Sequence, residues 1–340
     1  MKDAKIKSNY LKKIKEINKY NENYYDKNNP LISDDKYDLL KKEILQLEKK
    51  YDFLDHKLSP SKIVGFKPSK NFKKVQHKVP MLSLANAFTE EDLINFEKKI
   101  ANYLDKDKYF KIEYSAEPKI DGISASLVYV NGKLVTGLSR GDGQEGEDIT
   151  ENLKTIKDIP QYISSKDFPK EIDIRGEVFI QNSDFKKLSD TFANPRNAAS
   201  GSLRQKNPED TKKIPLKFIA YTFGFVKGMK INNQNDYLNK LSDWGFKTNP
   251  LNKLIVGTKN LMANYYQIEK KRSELDFDID GIVYKINDFQ LQKRLGFVAN
   301  APRWAVAHKF SANNGISKIL DIDIQIGRTG ALTPVAKIHP

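Results

Sequence analysis

A hairpin signal near the middle of the chain constrains the fold more than any other feature. The apolar run Ser126–Val130 is followed by the dipeptide Asn131-Gly132 and then by Lys133–Val135. Asn-Gly tolerates the positive φ of a type I′ turn, which joins neighbouring antiparallel strands. Periodicity predicts further strands at 172–180 and 279–286 and helices at 237–244 and about 259–273. Because these elements follow no regular βαβ rhythm, we predict an α+β fold with antiparallel sheets flanked by helices rather than a doubly wound sheet.

The first 70 residues have helical periodicity. A first helix is indicated by apolar residues on one face, namely Ile6, Tyr10, Ile14 and Ile17. Asn29-Pro30 interrupts this pattern, and Ser33 or Asp34 can cap a second helix. The apolar face of that second helix consists of Tyr37, Leu40, Ile44 and Leu47. We therefore predict a small helical domain over residues 1–70, with a linker that begins at Ser59-Pro60.

The rest of the chain divides at about residue 316. A helix with a weak capping-box pattern is predicted to begin at Thr89, because Asp92 follows three residues later. Beyond residue 316, Asp321–Ile326 alternates as a half-buried strand does, Gly327–Gly330 can turn, and Ala331–Ile338 can return. The expected domains are 71–316 and 317–340. Two strands are only marginally stable alone, so we expect the last domain to continue beyond this chain.

The chain is strongly basic, with a net charge of +14 and a pI of about 9.4. Such a charge suits a phosphate-rich partner such as nucleic acid. A general bias toward lysine would produce the same charge, and only a contiguous basic face would distinguish the two. Charge alone therefore leaves both interpretations open.

No sequence feature indicates secretion or a membrane. The chain contains no cysteine, which excludes disulfides and thiolate metal sites within it. Met1-Lys2-Asp3 leads into a polar, lysine-rich segment, and no apolar run approaches the length of a transmembrane helix. With 39% hydrophobic and 30% charged residues, the protein is predicted to be soluble, globular and cytoplasmic.

Five short motifs carry the candidate chemistry. In order they are Lys119-Ile120-Asp121-Gly122, Ser139–Gly143, Arg175–Val178, Asp280–Lys285 and Trp304–Lys309. A lysine amine becomes a nucleophile once it loses its proton, which burial or nearby cations favour. Lys285, Lys309 and Arg140 could supply those cations and would also stabilise charge on a phosphate. Lys119 is therefore the predicted nucleophile, although most of the 58 basic residues are expected to be ordinary surface groups.

Three carboxylates accompany this lysine. Asp121, Glu177 and Asp280 each adjoin a glycine, so each could lie on a tight turn that faces a ligand. They could hold Mg²⁺ together with water and substrate phosphate, or accept hydrogen bonds from ribose hydroxyls. Ordinary turn chemistry is the alternative for each of them taken alone. We predict catalytic roles for Asp121 and Asp280 and candidate magnesium binding for all three.

Taken in order, these motifs resemble those of the covalent nucleotidyltransferases, and within that superfamily the bacterial NAD-dependent DNA ligases. The stretch Phe192–Gln205 is similar to a signature that separates these ligases from ATP-dependent relatives. The resemblance covers essentially the whole chain. It implies a nucleotidyltransferase fold after the small helical domain, with the start of an OB-fold at 317–340. It also implies that Lys119 attacks NAD, forms lysyl-AMP and releases nicotinamide mononucleotide.

The resemblance implies a nucleotide pocket as well. Glu117 matches a residue that contacts adenine, Tyr221 matches an aromatic that stacks on adenine, and Glu177 is placed at the ribose. The AMP-binding residues implied in this way are Ser83, Leu84, Glu117, Arg140, Glu177, Tyr221, Lys285 and Lys309. Arg196 and Arg204 would contact nicotinamide mononucleotide or DNA phosphate.

The N-terminal region resembles the small domain that holds the nicotinamide mononucleotide half of NAD. The matching residues are Tyr24, Tyr25, Asp34, Tyr37 and Asp38. Aromatic rings can stack on a positively charged nicotinamide, and carboxylates can accept ribose hydrogen bonds. Alternatively, Tyr37 belongs to the apolar helix face and the aspartates cap that helix. Tyr25 stands where the family commonly has His, and His308, where Phe is common, is interpreted as a packing residue.

The implied cofactors are NAD and Mg²⁺, and the implied partner is nicked double-stranded DNA, bound weakly by this chain. We expect a monomer that serves DNA replication and repair. One alternative is an ATP- or GTP-dependent RNA ligase or capping enzyme, which a nucleoside triphosphate rather than NAD would label. Another is a non-catalytic, basic DNA-binding module, which would form no covalent adenylate.

Overall fold

The computed structural model of the chain describes residues 2–25, 31–32, 34–62, 72–106, 111–298, 301–311, 317–326 and 332–339. It has two compact units, Met1–Phe310 and Ser311–Pro340. The helices of the described part are α1 (Lys2–Tyr25), α2 (Asp34–Lys50), α3 (Glu90–Tyr103), α4 (Thr150–Leu153), α5 (Asn182–Phe185), α6 (Pro195–Leu203), α7 (Pro208–Lys212), α8 (Gln234–Asp243), α9 (Thr258–Lys271) and α10 (Phe289–Leu295), with a 3₁₀ turn at Arg272–Glu274.

The strands of the first unit are β1 (Lys74–Gln76), β2 (Ala85–Ala87), β3 (Glu113–Ile120), β4 (Ile123–Val130), β5 (Lys133–Ser139), β6 (Glu145–Glu147), β7 (Glu171–Ile180), β8 (Leu216–Lys227), β9 (Lys253–Val256), β10 (Ile279–Ile286), β11 (Phe297–Val298), β12 (Ala301–Pro302) and β13 (Ala305–Lys309). The second unit contains β14 (Ile319–Ile326) and β15 (Leu332–Ile338), paired antiparallel.

Two larger sheets form the body of the first unit. One has the order β2-β13-β10-β3-β9 and the other the order β5-β4-β7-β8. Their strand pairs are antiparallel, apart from the parallel pair of β2 and β13. The predicted α+β fold with antiparallel sheets is therefore confirmed.

The predicted hairpin is confirmed as β4 and β5. Asn131 and Gly132 between them have φ values of 48° and 78°, so both central residues adopt the positive φ that the turn requires. A Cβ at Gly132 would lie 2.1 Å from the carbonyl oxygen of Ile163. The glycine is thus required both for conformation and for space.

The helices α1 and α2 pack on each other through the predicted apolar faces. Tyr10, Ile14, Ile17 and Ile44 are each at most 3% exposed, and Leu54 completes this small core. The Tyr10 hydroxyl donates to Glu48 across the two helices, with an O···O distance of 2.6 Å. Helical periodicity therefore located this region correctly.

Each large sheet has its own hydrophobic core. The four-stranded sheet packs against residues of α6 and α8, and the five-stranded sheet against residues of α3 and α9. Thr89 and Asp92 form the predicted capping box at the start of α3. His308 is 1% exposed and stacks on Tyr265 with 4.1 Å between ring centroids, in agreement with its interpretation as a packing residue. The described part of the chain contains no helix with the length and apolar character needed to cross a membrane.

Candidate active site

The neighbouring strands β3 and β10 carry the two central ion pairs of the site. Their register places Lys119 opposite Gly281 and Ile120 opposite Ile279, so Asp280 is an extra residue on β10. An extra residue of this kind forms a β-bulge, which redirects a side chain out of the regular alternation. The Nζ of Lys119 lies 3.0 and 2.8 Å from the two carboxylate oxygens of Asp280. The bulge thus places a carboxylate directly against the predicted nucleophile.

A second ammonium group contacts the same carboxylate. Lys309, the last residue of β13, donates to Asp280 Oδ2 at 2.9 Å and lies 3.3 Å from Asp38 Oδ2 of α2. Burial would raise the pKa of Asp280, but the charges of Lys119 and Lys309 outweigh it and hold that pKa well below its usual range. Two cations therefore meet at one ionised carboxylate, and an ammonium group of this kind can also donate charge-assisted hydrogen bonds to a phosphate.

The other ion pair is deeply buried. Glu117 is 4% exposed and Lys285 is 5% exposed, and Lys285 Nζ donates to Glu117 Oε2 at 2.7 Å. Lys285 also donates to the carbonyl oxygen of Tyr221 at 2.8 Å and lies 5.2 Å from the centroid of its ring. Burial lowers the pKa of Lys285, and the contact with Glu117 opposes that effect. An acceptor, a donor and an aromatic face are therefore adjacent, which is what recognition of a heterocyclic base needs.

Two further side chains form hydrogen bonds with Glu117 and hold it in place. Its Oε1 accepts hydrogen bonds from Ser115 Oγ at 2.9 Å and from Gln234 Nε2 at 3.0 Å. Sequence reasoning missed both residues. Gln234 lies 117 positions from Glu117, and no spacing rule connects a helix start to a distant strand. Ser115 precedes the Glu-Pro-Lys stretch by two residues, so strand alternation could have identified it.

The glycine of the Lys-Ile-Asp-Gly motif permits a close approach between strands. A Cβ at Gly122 would lie 2.3 Å from the carbonyl oxygen of Val178 and 2.9 Å from Cγ of Glu177. Any larger residue would push the β3–β4 turn away from β7. Gly122 thus brings Glu177 next to the segment that carries Lys119.

Glu177 has an unusual protonation equilibrium. Burial raises its pKa to about 7, against the lowering effect of the charges on Arg196 and Lys119. The hydroxyl of Ser124 donates to Glu177 Oε2 at 2.9 Å. The carboxyl group therefore titrates near neutral pH.

Arg175 holds the segment that leads into Ser83-Leu84. Its guanidinium donates to Asp173 Oδ2 from Nε at 3.0 Å and from Nη2 at 2.9 Å. The same group donates to the carbonyl oxygen of Pro80 at 3.0 Å and to that of Val79. The Arg175–Gly176–Glu177 motif was noticed in the sequence, but this positioning role of Arg175 was not predicted.

The two central ion pairs, Lys309 and Glu177 line one cavity of about 590 Å³. The residues predicted from sequence that line it are Tyr37, Asp38, Ser83, Leu84, Glu117, Lys119, Arg140, Glu177, Arg196, Tyr221, Asp280, Lys285 and Lys309. Tyr37 also donates from its hydroxyl to Asn21 Oδ1 at 2.8 Å, within the α1–α2 pair. The cavity has the size of a ligand site and combines apolar walls with a few convergent polar groups.

Some predicted residues lie elsewhere. Asp121 does not line the cavity but forms an ion pair with Arg196, which does. Arg204 donates to buried Glu147 at 3.1 Å and is absent from the cavity wall. The side chains of Tyr24, Tyr25 and Asp34 lie outside the described residues.

The structure does not assemble the three candidate magnesium ligands into a set. Within the described ranges, no group of three or more His, Asp or Glu residues could hold a metal ion. Asp121 contacts Arg196, and Asp280 contacts two lysines. The described side chains therefore form no ready ligand set for a metal, and magnesium stays a prediction from the resemblance.

Comparison with known proteins gives the family. The sequence profile of the NAD-dependent DNA ligase adenylation domain matches residues 69–313, and that of the DNA ligase-like N-terminal NAD+-binding domain matches residues 3–65. A DNA ligase of Pelagibacter ubique strain HTCC1062 is 69% identical over 340 residues, which are 100% of this chain and 50% of the relative. A DNA ligase of Bradyrhizobium sp. strain ORS 278 is 46% identical over 99% of this chain and 48% of the relative.

The chain thus spans about half the length of the curated relatives that it matches. The adenylation-domain profile covers more than half of the chain and includes both central ion pairs. The chain therefore belongs to the family of NAD-dependent DNA ligase adenylation domains.

Proposed function

We propose that this chain transfers AMP from NAD to its own Lys119, as the adenylating part of an NAD-dependent DNA ligase. One observation carries the proposal. Lys119 and Lys309 meet at Asp280 in the cavity that also contains the buried pair of Glu117 and Lys285. Groups suited to a phosphate and groups suited to a base therefore line one continuous space.

In the proposed step, the Nζ lone pair of Lys119 attacks the α-phosphorus of NAD. A P–N bond forms, and the bond between phosphorus and the bridging oxygen breaks, so nicotinamide mononucleotide leaves with that oxygen and the bonding electrons. The amine loses its protons to solvent. Asp280 holds the amine in position, and Lys309 and Arg140 would stabilise the charge that develops on phosphorus.

The adenosine half would occupy the end of the cavity near Tyr221. There the ring of Tyr221 would stack on adenine, and Glu117 and Lys285 would pair with the edge of the base. Glu177 would accept a hydrogen bond from the ribose, and Ser83-Leu84 would line the pocket.

The nicotinamide half would lie toward α2. Tyr37 and Asp38 line the cavity from that helix, which supports a role for the N-terminal region in holding nicotinamide mononucleotide. Tyr24, Tyr25 and Asp34 are proposed to belong to the same binding surface. We accordingly propose three domains, the helical one at 1–70, the nucleotidyltransferase at 71–316 and an OB-fold start at 317–340.

The proposal extends to nicked double-stranded DNA. AMP would pass from Lys119 to a DNA 5′-phosphate, and the 3′-hydroxyl of the nick would then displace AMP. Support comes from relatives named DNA ligase and from the net charge of +14. Arg196 and Arg204 are proposed to assist with phosphate. Mg²⁺ would have to be bound largely by phosphate oxygens and water, since the described side chains offer no ready ligand set.

The test is intact-mass measurement after incubation with NAD and Mg²⁺. We expect a mass increase of one AMP, lost in acid, with peptide mapping to Lys119. Lys119→Ala should abolish the increase, and Lys119→Arg should also fail, because a guanidinium stays protonated and is a poor nucleophile. AMP on another residue, or labelling by ATP instead of NAD, would contradict the proposal.

A further inference from the structure

Gln234 is a buried residue that contacts the buried pair of Glu117 and Lys285 through Glu117. It is the first residue of α8 and is 1% exposed. Its backbone N–H donates to the carbonyl oxygen of Asn287 at 2.8 Å, and the N-cap Asn233 receives a hydrogen bond from Asp236 at 2.8 Å. The side chain therefore starts from an anchored helix end, and it reaches Glu117 without lining the cavity.

The hydrogen bonds of this cluster are directional. Gln234 Nε2 donates to Glu117 Oε1 at 3.0 Å and to the carbonyl oxygen of Tyr221 at 2.7 Å, so both of its N–H groups are used. Ser115 donates to the same Oε1. Lys285 lines the cavity and donates to Glu117 Oε2 and to the Tyr221 carbonyl, which leaves one of its ammonium N–H groups for a further acceptor. The remaining Oε2 lone pair of Glu117 and this N–H form an acceptor and a donor in fixed order.

We propose that Gln234 is a positioning residue that makes the cavity select a 6-aminopurine over a 6-oxopurine. The inference deepens the proposed function, because it concerns the base of the nucleotide that the site would take. Gln234 acts through Glu117 and does not touch the base.

The selectivity follows from the order of donor and acceptor. A 6-aminopurine offers a donor at the 6-position and an acceptor at N1, whereas a 6-oxopurine offers an acceptor and then a donor. To bind a 6-oxopurine in the same orientation, Glu117 and Lys285 would have to exchange places. Gln234 and Ser115 hold Oε1 of Glu117, and the Tyr221 carbonyl holds Lys285, so the exchange would leave several buried polar groups unpaired.

The experiment measures the affinities of AMP and IMP by calorimetry on the whole chain. We expect the wild-type protein to prefer AMP. Gln234→Leu keeps the approximate size and removes both donors, and we expect the AMP-to-IMP affinity ratio to fall about tenfold, the effect of one hydrogen bond to a charged group. A ratio unchanged in this variant, or a wild-type protein without preference, would overturn the inference.

Tyr237→Phe is the matched control. Tyr237 lies on the same helix and donates to the carbonyl oxygen of Thr222 on β8 at 3.2 Å, without contacting Glu117. It should leave the ratio unchanged, and an equal fall in both variants would assign the effect to helix packing. If Gln234→Leu does not fold, Ser115→Ala decides, because it removes the other donor to Oε1. We then expect a smaller fall in the ratio, and no fall would overturn the inference.

The result is separable from the proposed function. Nucleotide affinity requires no covalent step, so the ratio can be measured whether or not NAD labels Lys119. A protein that loses its base preference in Gln234→Leu but forms no lysyl-AMP would contradict the proposed function alone.

Discussion

Asp38 on α2 lies 3.3 Å from Lys309 on β13, measured from Oδ2 to Nζ. The two side chains are 12% and 14% exposed, so the pair is largely shielded from water. The ion pair connects the N-terminal helices to the lysine that also contacts Asp280. A helix that precedes the sheets by many residues thus contributes a carboxylate directly to the part of the cavity that contains Lys309.

Asp38→Asn tests this connection. The amide keeps the size and one acceptor oxygen but loses the charge, so we expect NAD-dependent adenylation to slow about tenfold. The measurement is the single-turnover rate of AMP addition by mass spectrometry. Glu43→Gln is the control, because Glu43 is on the same helix and pairs with Lys13 in an exposed ion pair of 2.6 Å. Equal rates in wild type and Asp38→Asn would remove the proposed role of this ion pair.

Asp280→Asn tests the bulged carboxylate. The asparagine variant lacks the negative charge that holds Lys119 and Lys309 in place. A misplacement of about 1 Å can reduce a rate about 100-fold. We expect a fall of that size in the maximal rate of adenylation, with a smaller change in the half-saturating NAD concentration. Asp278→Asn is the neighbouring control, since Asp278 contacts Asn182 at 3.1 Å outside the cavity. A change confined to NAD affinity would contradict a positioning role for Asp280.

Glu177→Gln should change how stability depends on pH. Because burial raises the pKa of Glu177 to about 7 from 4.5, the folded protein holds this proton more tightly than the unfolded chain does. The contribution of protonated Glu177 to the free energy of unfolding is complete below about pH 4.5 and is lost as the pH rises through about 7. We expect the wild-type protein to lose about 1–3 kcal/mol across this window relative to the glutamine variant. Urea unfolding at several pH values provides the test, and parallel profiles would refute it.

Arg175→Lys should loosen the segment before Ser83. Lysine keeps the charge but lacks the planar guanidinium that reaches Asp173 and two carbonyl groups together. We expect unfolding free energy to fall by about 2–3 kcal/mol and the NAD concentration for half-maximal adenylation to rise. Arg294→Lys is the control, because Arg294 donates to one carbonyl, that of Leu104, at 3.3 Å. Arg294 is exposed, so similar losses in both variants would mean that the buried network of Arg175 contributes no more than a single hydrogen bond at the surface does.

Much of the fold was predictable because its signals are local. The Asn-Gly turn, the apolar faces of α1 and α2 and the capping box at Thr89 each depend on residues a few positions apart. The long strand β8 was not predicted as an element, although Tyr221 within it was assigned a role. The role of Tyr221 was inferred from the family resemblance rather than from the periodicity of the sequence.

The site was predictable only where a motif marked it. Lys119, Glu117 and Asp280 stand in recognisable sequence contexts, but no local pattern shows that Asp280 is the extra residue of a bulge. Gln234 and Asp173 escaped prediction because their partners are set by sheet packing and helix placement. Long-range hydrogen bonds of this kind leave no spacing in the sequence.

The position of Glu117 and Lys119 on the same strand, β3, fixes the distance between them. Glu117 and Lys119 are two residues apart on one strand, which separates the proposed base contact and the proposed nucleophile by about 7 Å along the backbone. A substitution can alter the chemistry at either end, but it leaves this interval unchanged. One inserted residue between positions 117 and 119 would instead turn the two side chains to opposite faces of the sheet. The length of nucleotide that fits between base contact and nucleophile is thus a property of the main chain.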